Sequence, residues 1–278
     1  CRIVQRAAKL LGKTEDEQYF QELADRIYTG FNRRFFDLKT GTYESATQSS
    51  NVLPLAFGLV PAEHRKQVID NLVSDILVTH QGHTSVGLIG MQWQMQVLSS
   101  IGRADVAYQI ATRTERPSWG YMFDHGATTS WERWDTDTQD GGMNGESQKI
   151  LSGNFEAWCY QTLGGINYDP NEPGFKHIDL NPHPVGDLTW VKSSHVSVYG
   201  KIVSDWKLAD GMIHWHVVVP PNTTATAHIP TTLPEQVHEL DQPLDQAPGV
   251  HSLVTDETGV IAQLGSGTYE FRAPFQIR

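Results

Sequence analysis

The sequence predicts an α + β protein in which a helical domain precedes an antiparallel β-sandwich. Across residues 1–168 the apolar residues recur at the three- and four-residue spacing of α-helices. After Gly164 and Gly165 the polar and apolar residues alternate with period two, which indicates strands. Several helical segments are apolar around much of their circumference, which is typical of helices packed on two sides, as in layered helical barrels. We assign residues 1–168 to the helical domain and residues 169–278 to the sandwich.

The helical pattern begins at the first residue. Residues 1–11 form an amphipathic segment that ends at Gly12, so we expect the chain to be truncated within a helix. A lipid-modified Cys1 is the alternative interpretation, although the flexible polar tether that usually follows such an anchor is absent. Thr14 and the three acidic residues after it supply an N-cap and a favourable first turn for a second helix. Further helices are predicted at residues 49–59, 61–79, 87–101, 104–112 and 149–163.

The strand pattern of the C-terminal part is interrupted by turn-forming residues at short intervals. Strands are predicted at residues 194–206, 211–219, 224–230 and 268–271. Clusters of Gly, Pro, Asn and Asp separate them at the spacing expected of an antiparallel sandwich. Residues 234–248 are interpreted as an acidic loop.

Composition and charge disfavour several classes of function. The chain has 278 residues, of which 39% are hydrophobic, so it can bury a sizeable core. A formal net charge of -11 disfavours nucleic acid and anionic membrane surfaces as partners, because the mean field repels both. No apolar run is long enough to span a bilayer. The two cysteines, Cys1 and Cys159, form neither a disulfide framework nor a Cys-x-x-Cys pair, and they leave the redox compartment open.

Residues 117–135 carry the strongest functional signal, because they place one carboxylate among four large aromatic side chains. The carboxylate is Glu132, and the aromatic residues are Trp119, Tyr121, Trp131 and Trp134. Aromatic faces stack on the C–H faces of sugar rings, and apolar walls tune the proton affinity of a carboxyl group for acid or base work. This pattern predicts a carbohydrate-processing site. The alternative is a single buried aromatic turn in which Glu132 and Arg133 pair at the surface.

A glycosidase that inverts the anomeric centre needs a second carboxyl group. The two groups lie roughly 6.5–9.5 Å apart, which leaves room for the attacking water. In sequence the nearest candidates for a partner of Glu132 are Asp124, Asp135 and Asp137, and Asp135 is also a candidate for binding sugar hydroxyls. The alternative interpretation of each acid is a solvated loop residue.

The histidines and the absence of cofactor motifs say less about function than residues 117–135 do. His83, just before Thr84-Ser85, is a candidate for a hydrogen bond to a sugar hydroxyl, or else a loop residue that caps a helix. His214 and His216 share one strand face, but no third ligand follows at a recognisable spacing, so we expect no metal site. The usual nucleotide, serine-hydrolase and zinc-protease motifs are absent, so no cofactor is expected.

Several motifs together resemble the C-terminal part of the bacterial α-L-rhamnosidases. They lie at residues 117–122, 126–134, 142–144, 160–166, 173–178, 198–206 and 265–271. The resemblance implies an inverting glycoside hydrolase with an (α/α)6 barrel followed by a β-sandwich. It also implies that Glu132, in the Trp-Glu-x-Trp motif, is the general base. The expected partner is a rhamnose-containing glycoside or polysaccharide fragment.

The chain departs from the pattern of that family in two respects. It lacks the Asp-Glu-Arg motif whose glutamate is the general acid in the family, and it supplies about half of the helices that a closed ring needs. We therefore expect an upstream segment or a second chain to complete the barrel. Residues 145–148 stand where many relatives carry a sugar-binding histidine, and we include Gln148 among the candidate substrate-binding residues. The alternative function is a non-catalytic carbohydrate-binding or structural fragment that lacks the general acid.

Overall fold

The computed structural model describes residues 1–131, 133–138, 153–231, 233–255 and 259–276. Within these residues the chain forms a helical part followed by two packed β-sheets, so the predicted order of a helical domain and a β-sandwich is confirmed. The helices are α1 Arg2–Leu10, α2 Thr14–Phe35, α3 Gln48–Ala56, α4 Arg65–Ser74, α5 Leu88–Ser100, α6 Ala104–Ala111, α7 Trp119–Asp124 and α8 Gly153–Trp158. Single π-helical turns at Asp75–Thr79 and Cys159–Leu163 extend α4 and α8.

The helical part is held together by apolar side chains from several helices. Val68 and Leu72 of α4, Met95 and Leu98 of α5, and Val106 of α6 are fully buried in one cluster. The predicted helices agree with these elements, except that the short helix α7 was not predicted and residues 149–152 lie outside the described residues. A two-stranded ribbon, β1 Phe36–Asp37 and β2 Thr42–Tyr43, connects α2 to α3.

The sandwich consists of a six-stranded and a five-stranded sheet. The strands are β3 Ile166–Tyr168, β4 His177–Leu180, β5 Trp190–Ser197, β6 Gly200–Ala209, β7 Met212–Val219, β8 Thr224–Ile229, β9 His238–Glu239, β10 Gln242–Pro243, β11 Val250–Thr255, β12 Val260–Leu264 and β13 Gly267–Pro274. Their order is β10-β9-β13-β7-β6-β5 in one sheet and β11-β12-β8-β4-β3 in the other. All pairs are antiparallel except β4 with β8. Trp206, Trp215 and Phe271 from the larger sheet share a core with Ile178 and Leu180 from the smaller one.

Two sequence predictions in this part need correction. The single strand predicted at residues 194–206 is a hairpin of β5 and β6, closed where Ser197 pairs with Gly200. The apolar alternation runs through the turn because Val198, which is 89% exposed, sits at its tip, so the pattern hides the reversal. Residues 234–248 are more than a loop, since they contain β9 and β10. Ile166–Tyr168 pairs with β4, although it precedes the predicted boundary at residue 168, and that boundary stays a prediction.

The helical part and the sandwich meet at a buried polar seam. The Ser204 hydroxyl, fully buried in β6, donates to the Gly164 carbonyl at 2.6 Å and accepts the Trp215 indole N–H at 2.9 Å. The Trp206 indole N–H donates to the Leu163 carbonyl at 2.7 Å. Strand residues therefore satisfy the carbonyl groups at the end of the last helical turn, which would otherwise lack partners.

The loop between β4 and β5 forms the second half of this seam. The His183 backbone N–H donates to the Thr162 carbonyl at 3.0 Å, and the Tyr108 hydroxyl of α6 donates to Asp187. Gly186 lies against the Tyr108 ring, where a β-carbon would approach within 2.1 Å of a ring carbon. Glycine is required at this point because the loop passes so close to the ring.

No helix in the described ranges combines the length and the apolar character needed to cross a membrane.

Candidate active site

Helix α7 carries the first two aromatic residues of the candidate site. The Ser118 hydroxyl caps the helix by accepting the Tyr121 N–H at 2.9 Å, as expected for a serine at the N-cap. Trp119 points into the protein and is only 7% exposed. Its ring lies edge-on to Trp134 at 5.4 Å between ring centroids, and against Phe155 of α8 at 4.8 Å. The cluster therefore joins α7, the loop after it and α8.

Tyr121 lies on the other side of α7 and ties the helix to the following loop. Its hydroxyl donates to Asp137 Oδ2 at 2.9 Å. Its ring stacks on His125 at 3.8 Å and meets Trp131 edge-on at 6.5 Å. The hydrogen bond to the Asp137 carboxylate, with smaller contributions from desolvation and the Asp137 charge, raises the pKa of Tyr121 above its usual value, so the hydroxyl stays a donor at neutral pH.

Trp131 is buried, with 5% of its surface exposed, and its indole N–H has no hydrogen-bond partner among the described residues. Leaving a buried donor unpaired costs free energy, so such groups in native proteins are most often served by water or by a ligand. An unpaired donor directly beside position 132 suits the binding of a polar ligand atom there.

The residues after position 132 form a compact turn. The Arg133 guanidinium donates to both carboxylate oxygens of Asp135, at 3.1 and 3.0 Å. The Thr136 hydroxyl donates to the Arg133 carbonyl at 3.1 Å, and the Thr138 hydroxyl donates to the Asp135 carbonyl at 2.8 Å. Arg133 is thus bound by Asp135, and this carboxylate already holds a cation.

The loop that carries His83 is fixed from below by a buried network of amide side chains. The Gln94 amide donates to Gln48 Oε1 at 2.8 Å, and Gln94 Oε1 accepts the Thr84 hydroxyl at 2.7 Å. Gln48 in turn accepts the Ser85 N–H at 2.9 Å and donates to the His83 carbonyl at 3.2 Å. Both glutamines are fully buried, so this network defines the path of residues 83–85.

The ring of His83 has one nitrogen engaged and one available. Nδ1 lies 3.1 Å from the His80 carbonyl, which can only accept, so Nδ1 carries a proton. Nε2 is buried without a hydrogen-bond partner among the described residues. Nε2 is therefore the ring nitrogen open to a sugar hydroxyl, and the role of His83 in binding one stays a prediction.

Arg113 connects the histidine loop to the aromatic cluster. Its guanidinium donates to the Gln81 carbonyl, and its own carbonyl lies beneath Gly120 of α7, where a β-carbon would come within 2.3 Å. Any larger residue at position 120 would push α7 away from this segment.

The structure thus brings the four predicted aromatic residues together in two separate ring pairs, Trp119 with Trp134 and Tyr121 with Trp131. His83 lies on a loop held against the segment that precedes α7. Glu132 and Gln148 lie outside the described residues. The roles assigned to these residues stay predictions.

Sequence reasoning missed several residues that shape this region. Phe155 packs on Trp119, and His125 stacks on Tyr121. The first contact joins two helices far apart in sequence, and no local signal reveals it. The second follows from the four-residue spacing of 121 and 125 on one helical face, which is visible in the sequence.

The histidines of the sandwich are engaged in ordinary contacts. His214 is exposed on the outer face of β7, and His216 Nδ1 pairs with Glu270 at 2.5 Å. Within the described ranges no group of three or more His, Cys, Asp or Glu residues is arranged to hold a metal ion.

Both parts of the chain match domain families of known proteins. Residues 1–163 match the bacterial alpha-L-rhamnosidase 6 hairpin glycosidase domain, and residues 165–242 match the bacterial alpha-L-rhamnosidase C-terminal domain. An alpha-L-rhamnosidase of Formosa agariphila is 29% identical over 283 aligned residues, which cover 100% of this chain and 30% of that protein.

Two solved structures are similar over nearly the whole chain. The alpha-L-rhamnosidase from Dictyoglumus thermophilum superposes with a TM-score of 0.88 at 34% identity, covering 98% of this chain and 30% of that one. The Streptomyces avermitilis alpha-L-rhamnosidase complexed with L-rhamnose superposes with a TM-score of 0.87 at 31% identity, covering 97% of this chain and 25% of that one. The chain therefore spans less than a third of the length of these relatives. On the match of its helical part and its sandwich, the chain belongs to the bacterial α-L-rhamnosidase family of six-hairpin glycosidases.

Proposed function

We propose that the native gene product hydrolyses terminal α-L-rhamnosyl residues, or a related deoxysugar, with inversion at the anomeric carbon. The observation that carries this proposal is the environment of position 132. It follows a buried tryptophan whose indole N–H has no partner among the described residues, and it precedes an arginine that is held by Asp135. Membership of the rhamnosidase family and the L-rhamnose complex of the Streptomyces avermitilis relative support the choice of sugar.

Glu132 is proposed as the general base. In an inverting reaction the carboxylate takes a proton from water while the water oxygen bonds to the anomeric carbon. The bond from that carbon to the glycosidic oxygen breaks, its electron pair stays on the oxygen, and a general acid protonates the leaving group. Trp119 and Trp131 are buried and would back the site, whereas the half-buried Trp134 would offer a face to the sugar ring.

The general acid is proposed to come from outside this sequence. The resemblance to the family places it in an Asp-Glu-Arg motif, which this chain does not contain. The relatives are more than three times longer than the segment they share with this chain. An upstream segment or a second chain would then complete both the helical ring and the pair of carboxyl groups.

The decisive experiment replaces the base without changing its shape. In the native gene product, Glu132→Gln removes the carboxylate, and we expect kcat on an aryl α-L-rhamnoside to fall by about 10²–10⁴-fold. Glu156→Gln is the matched control, because Glu156 is exposed on α8 beside the aromatic cluster. Its kcat should equal that of the wild type.

Two further readouts test the mechanism. Proton NMR in the first minutes of turnover should show the β-anomer of the released sugar, and initial formation of the α-anomer would contradict inversion. Near-normal turnover by Glu132→Gln would contradict the role of the base. A different result is that L-rhamnose quenches the tryptophan fluorescence of the native protein while no rhamnoside is hydrolysed. That result would assign the protein to the alternative function, non-catalytic carbohydrate binding.

A further inference from the structure

The outer face of the six-stranded sheet carries a row of basic side chains that ends at an exposed tryptophan. The strand register pairs Trp190 with Lys207, Lys207 with His214, His214 with Arg272, and Arg272 with His238. Paired residues lie side by side on one face of a sheet, so these five residues form one continuous row across β5, β6, β7, β13 and β9. At the usual spacing of strands the row is about 19 Å long.

The row points away from the protein. The residues next to it along three of these strands, Trp206, Trp215 and Phe271, are buried in the sandwich core, and side chains alternate between the two faces of a strand. Lys207, His214 and Arg272 are exposed, and Trp190 is 60% exposed. A large indole left in water beside cations is an available platform for stacking.

The two strong cations of the row have no counter-ion in the described part of the chain. No carboxylate oxygen there lies within 4.0 Å of the Lys207 ammonium or the Arg272 guanidinium.

The rows on either side differ in character. The row on one side alternates basic and acidic residues, Lys192, Asp205, His216 and Glu270. In it Asp205 accepts the Ser193 N–H at 2.9 Å and Glu270 pairs with His216 at 2.5 Å. The row on the other side contains Ala209, Met212 and Pro274, which carry no charge. The cations therefore form a stripe between a row of mixed charge and an uncharged edge.

We propose that this stripe, defined by Trp190, Lys207, His214, Arg272 and His238, binds an anionic polysaccharide. Carboxylate or sulfate-ester groups of the polysaccharide pair with Lys207 and Arg272, and a sugar ring stacks on Trp190. Asp205 and Glu270 accept hydrogen bonds from sugar hydroxyls beside the stripe. A polysaccharide offers hydroxyl donors to these two acids between its charged groups, whereas the backbone of a DNA duplex offers none, so a saccharide is favoured.

This surface is independent of hydrolysis at Glu132. The test measures binding of the native gene product to polygalacturonate, which carries carboxylates, to dextran sulfate, which carries sulfate esters, and to neutral dextran. We expect binding to at least one anionic polymer, weakened by added salt, and none to neutral dextran. The double substitution Lys207→Gln with Arg272→Gln should raise Kd by about tenfold or more. Trp190→Ala should raise it by about fivefold.

The matched control carries the same change of charge elsewhere. Lys39 and Arg65 are exposed in the helical part, and Lys39→Gln with Arg65→Gln should leave Kd unchanged. An equal loss in this control would assign the binding to overall charge and overturn the proposal. So would failure of the wild type to bind either anionic polymer, or tighter binding of a DNA duplex through the same residues.

Turnover of a small aryl rhamnoside separates the two proposals. The variants in the stripe should keep wild-type kcat and KM on this substrate, because it is too small to reach from the hydrolytic site to the sheet. A protein that binds dextran sulfate through the stripe and hydrolyses nothing would refute the proposed function alone. A protein that hydrolyses the rhamnoside and ignores both polymers would refute the stripe alone.

Discussion

The Tyr121 hydroxyl donates a 2.9 Å hydrogen bond to Asp137, and this bond closes the segment that contains position 132 into a loop. At one end, Tyr121 is part of α7, which is capped by Ser118. At the other end, Asp137 follows the turn in which Arg133 is bound to Asp135. The residues on both sides of Glu132 are therefore held by specific contacts, which is the kind of support that a catalytic carboxylate needs.

Removing this bond should reduce activity more than stability. In Tyr121→Phe the ring contacts remain, but Asp137 loses its donor and the loop gains freedom. We expect kcat/KM of the native gene product to fall by about tenfold, because small displacements of reacting groups are costly. Tyr168→Phe is the control, since Tyr168 is 52% exposed and its hydroxyl has no partner within the described residues. Equal kcat/KM values for the two variants would show that the bond does not position the loop.

Replacing Gln94 tests the network beneath His83. Gln94→Met keeps the side-chain volume but leaves the buried Thr84 hydroxyl without its acceptor and Gln48 without one donor. We expect a loss of about 1–3 kcal/mol in the free energy of unfolding, together with a raised KM. Chemical denaturation and steady-state kinetics measure the two effects. The control Gln18→Met changes an exposed residue of α2 and should alter neither.

Ser204 is the residue on which the seam depends most. Ser204→Ala leaves the buried Trp215 N–H without its acceptor and the Gly164 carbonyl without the hydroxyl donor. We expect the free energy of unfolding to fall by about 2–4 kcal/mol, because two buried groups lose a partner. Ser194→Ala, at an exposed position on the neighbouring strand, should cost little by comparison. Similar Tm values for the two variants would contradict the role of Ser204.

Tyr108 should make the seam sensitive to alkaline pH. Burial, followed by the hydrogen bond to the Asp187 carboxylate, raises the pKa of Tyr108 from 10.0 to about 12. Because the folded-state pKa is the higher one, the stabilisation is fully present below the unfolded-state pKa and is lost as pH rises towards the folded-state value. Tyr108→Phe should therefore lower the free energy of unfolding by about 1 kcal/mol at neutral pH.

The pH dependence supplies the discriminating measurement for Tyr108. Urea denaturation at increasing pH should show the difference between wild type and Tyr108→Phe shrinking between the two pKa values. Tyr19→Phe, at a residue that is 55% exposed, controls for general effects of alkali. If the difference in free energy of unfolding between wild type and Tyr108→Phe stays constant across this range, the protonated hydroxyl of Tyr108 does not stabilise the fold.

Local sequence patterns predicted the order of elements because period and capping are local properties. The strands β7 and β8 follow directly from period. The capping prediction was wrong in detail, since Thr14 is the first helical residue of α2 and the N-cap is Lys13, which makes no side-chain cap hydrogen bond. The β5–β6 turn was missed because Val198 and Tyr199 continue the alternation and lack the residues typical of tight turns. The parallel pairing of β4 with β8 depends on long-range topology that no local pattern records.

The candidate site was predictable in composition but not in geometry. The aromatic residues around position 132 lie close together in the sequence, and the resemblance to rhamnosidases gave Glu132 its proposed role. The contact of Trp119 with Phe155, and the bond between Gln48 and Gln94, 46 residues apart, arise from tertiary packing. The basic stripe on the sheet also required the strand register, because its members are scattered over residues 190–272.

The seam also has a mechanical consequence for the candidate site. Trp206 and Ser204 hold the carbonyl groups that end the π-helical turn after α8, and α8 places Phe155 against Trp119. The sandwich thus supports the helix that packs on the aromatic cluster. Repacking between the two sheets would tilt the last helical turn and so shift Phe155 against Trp119 in the candidate site.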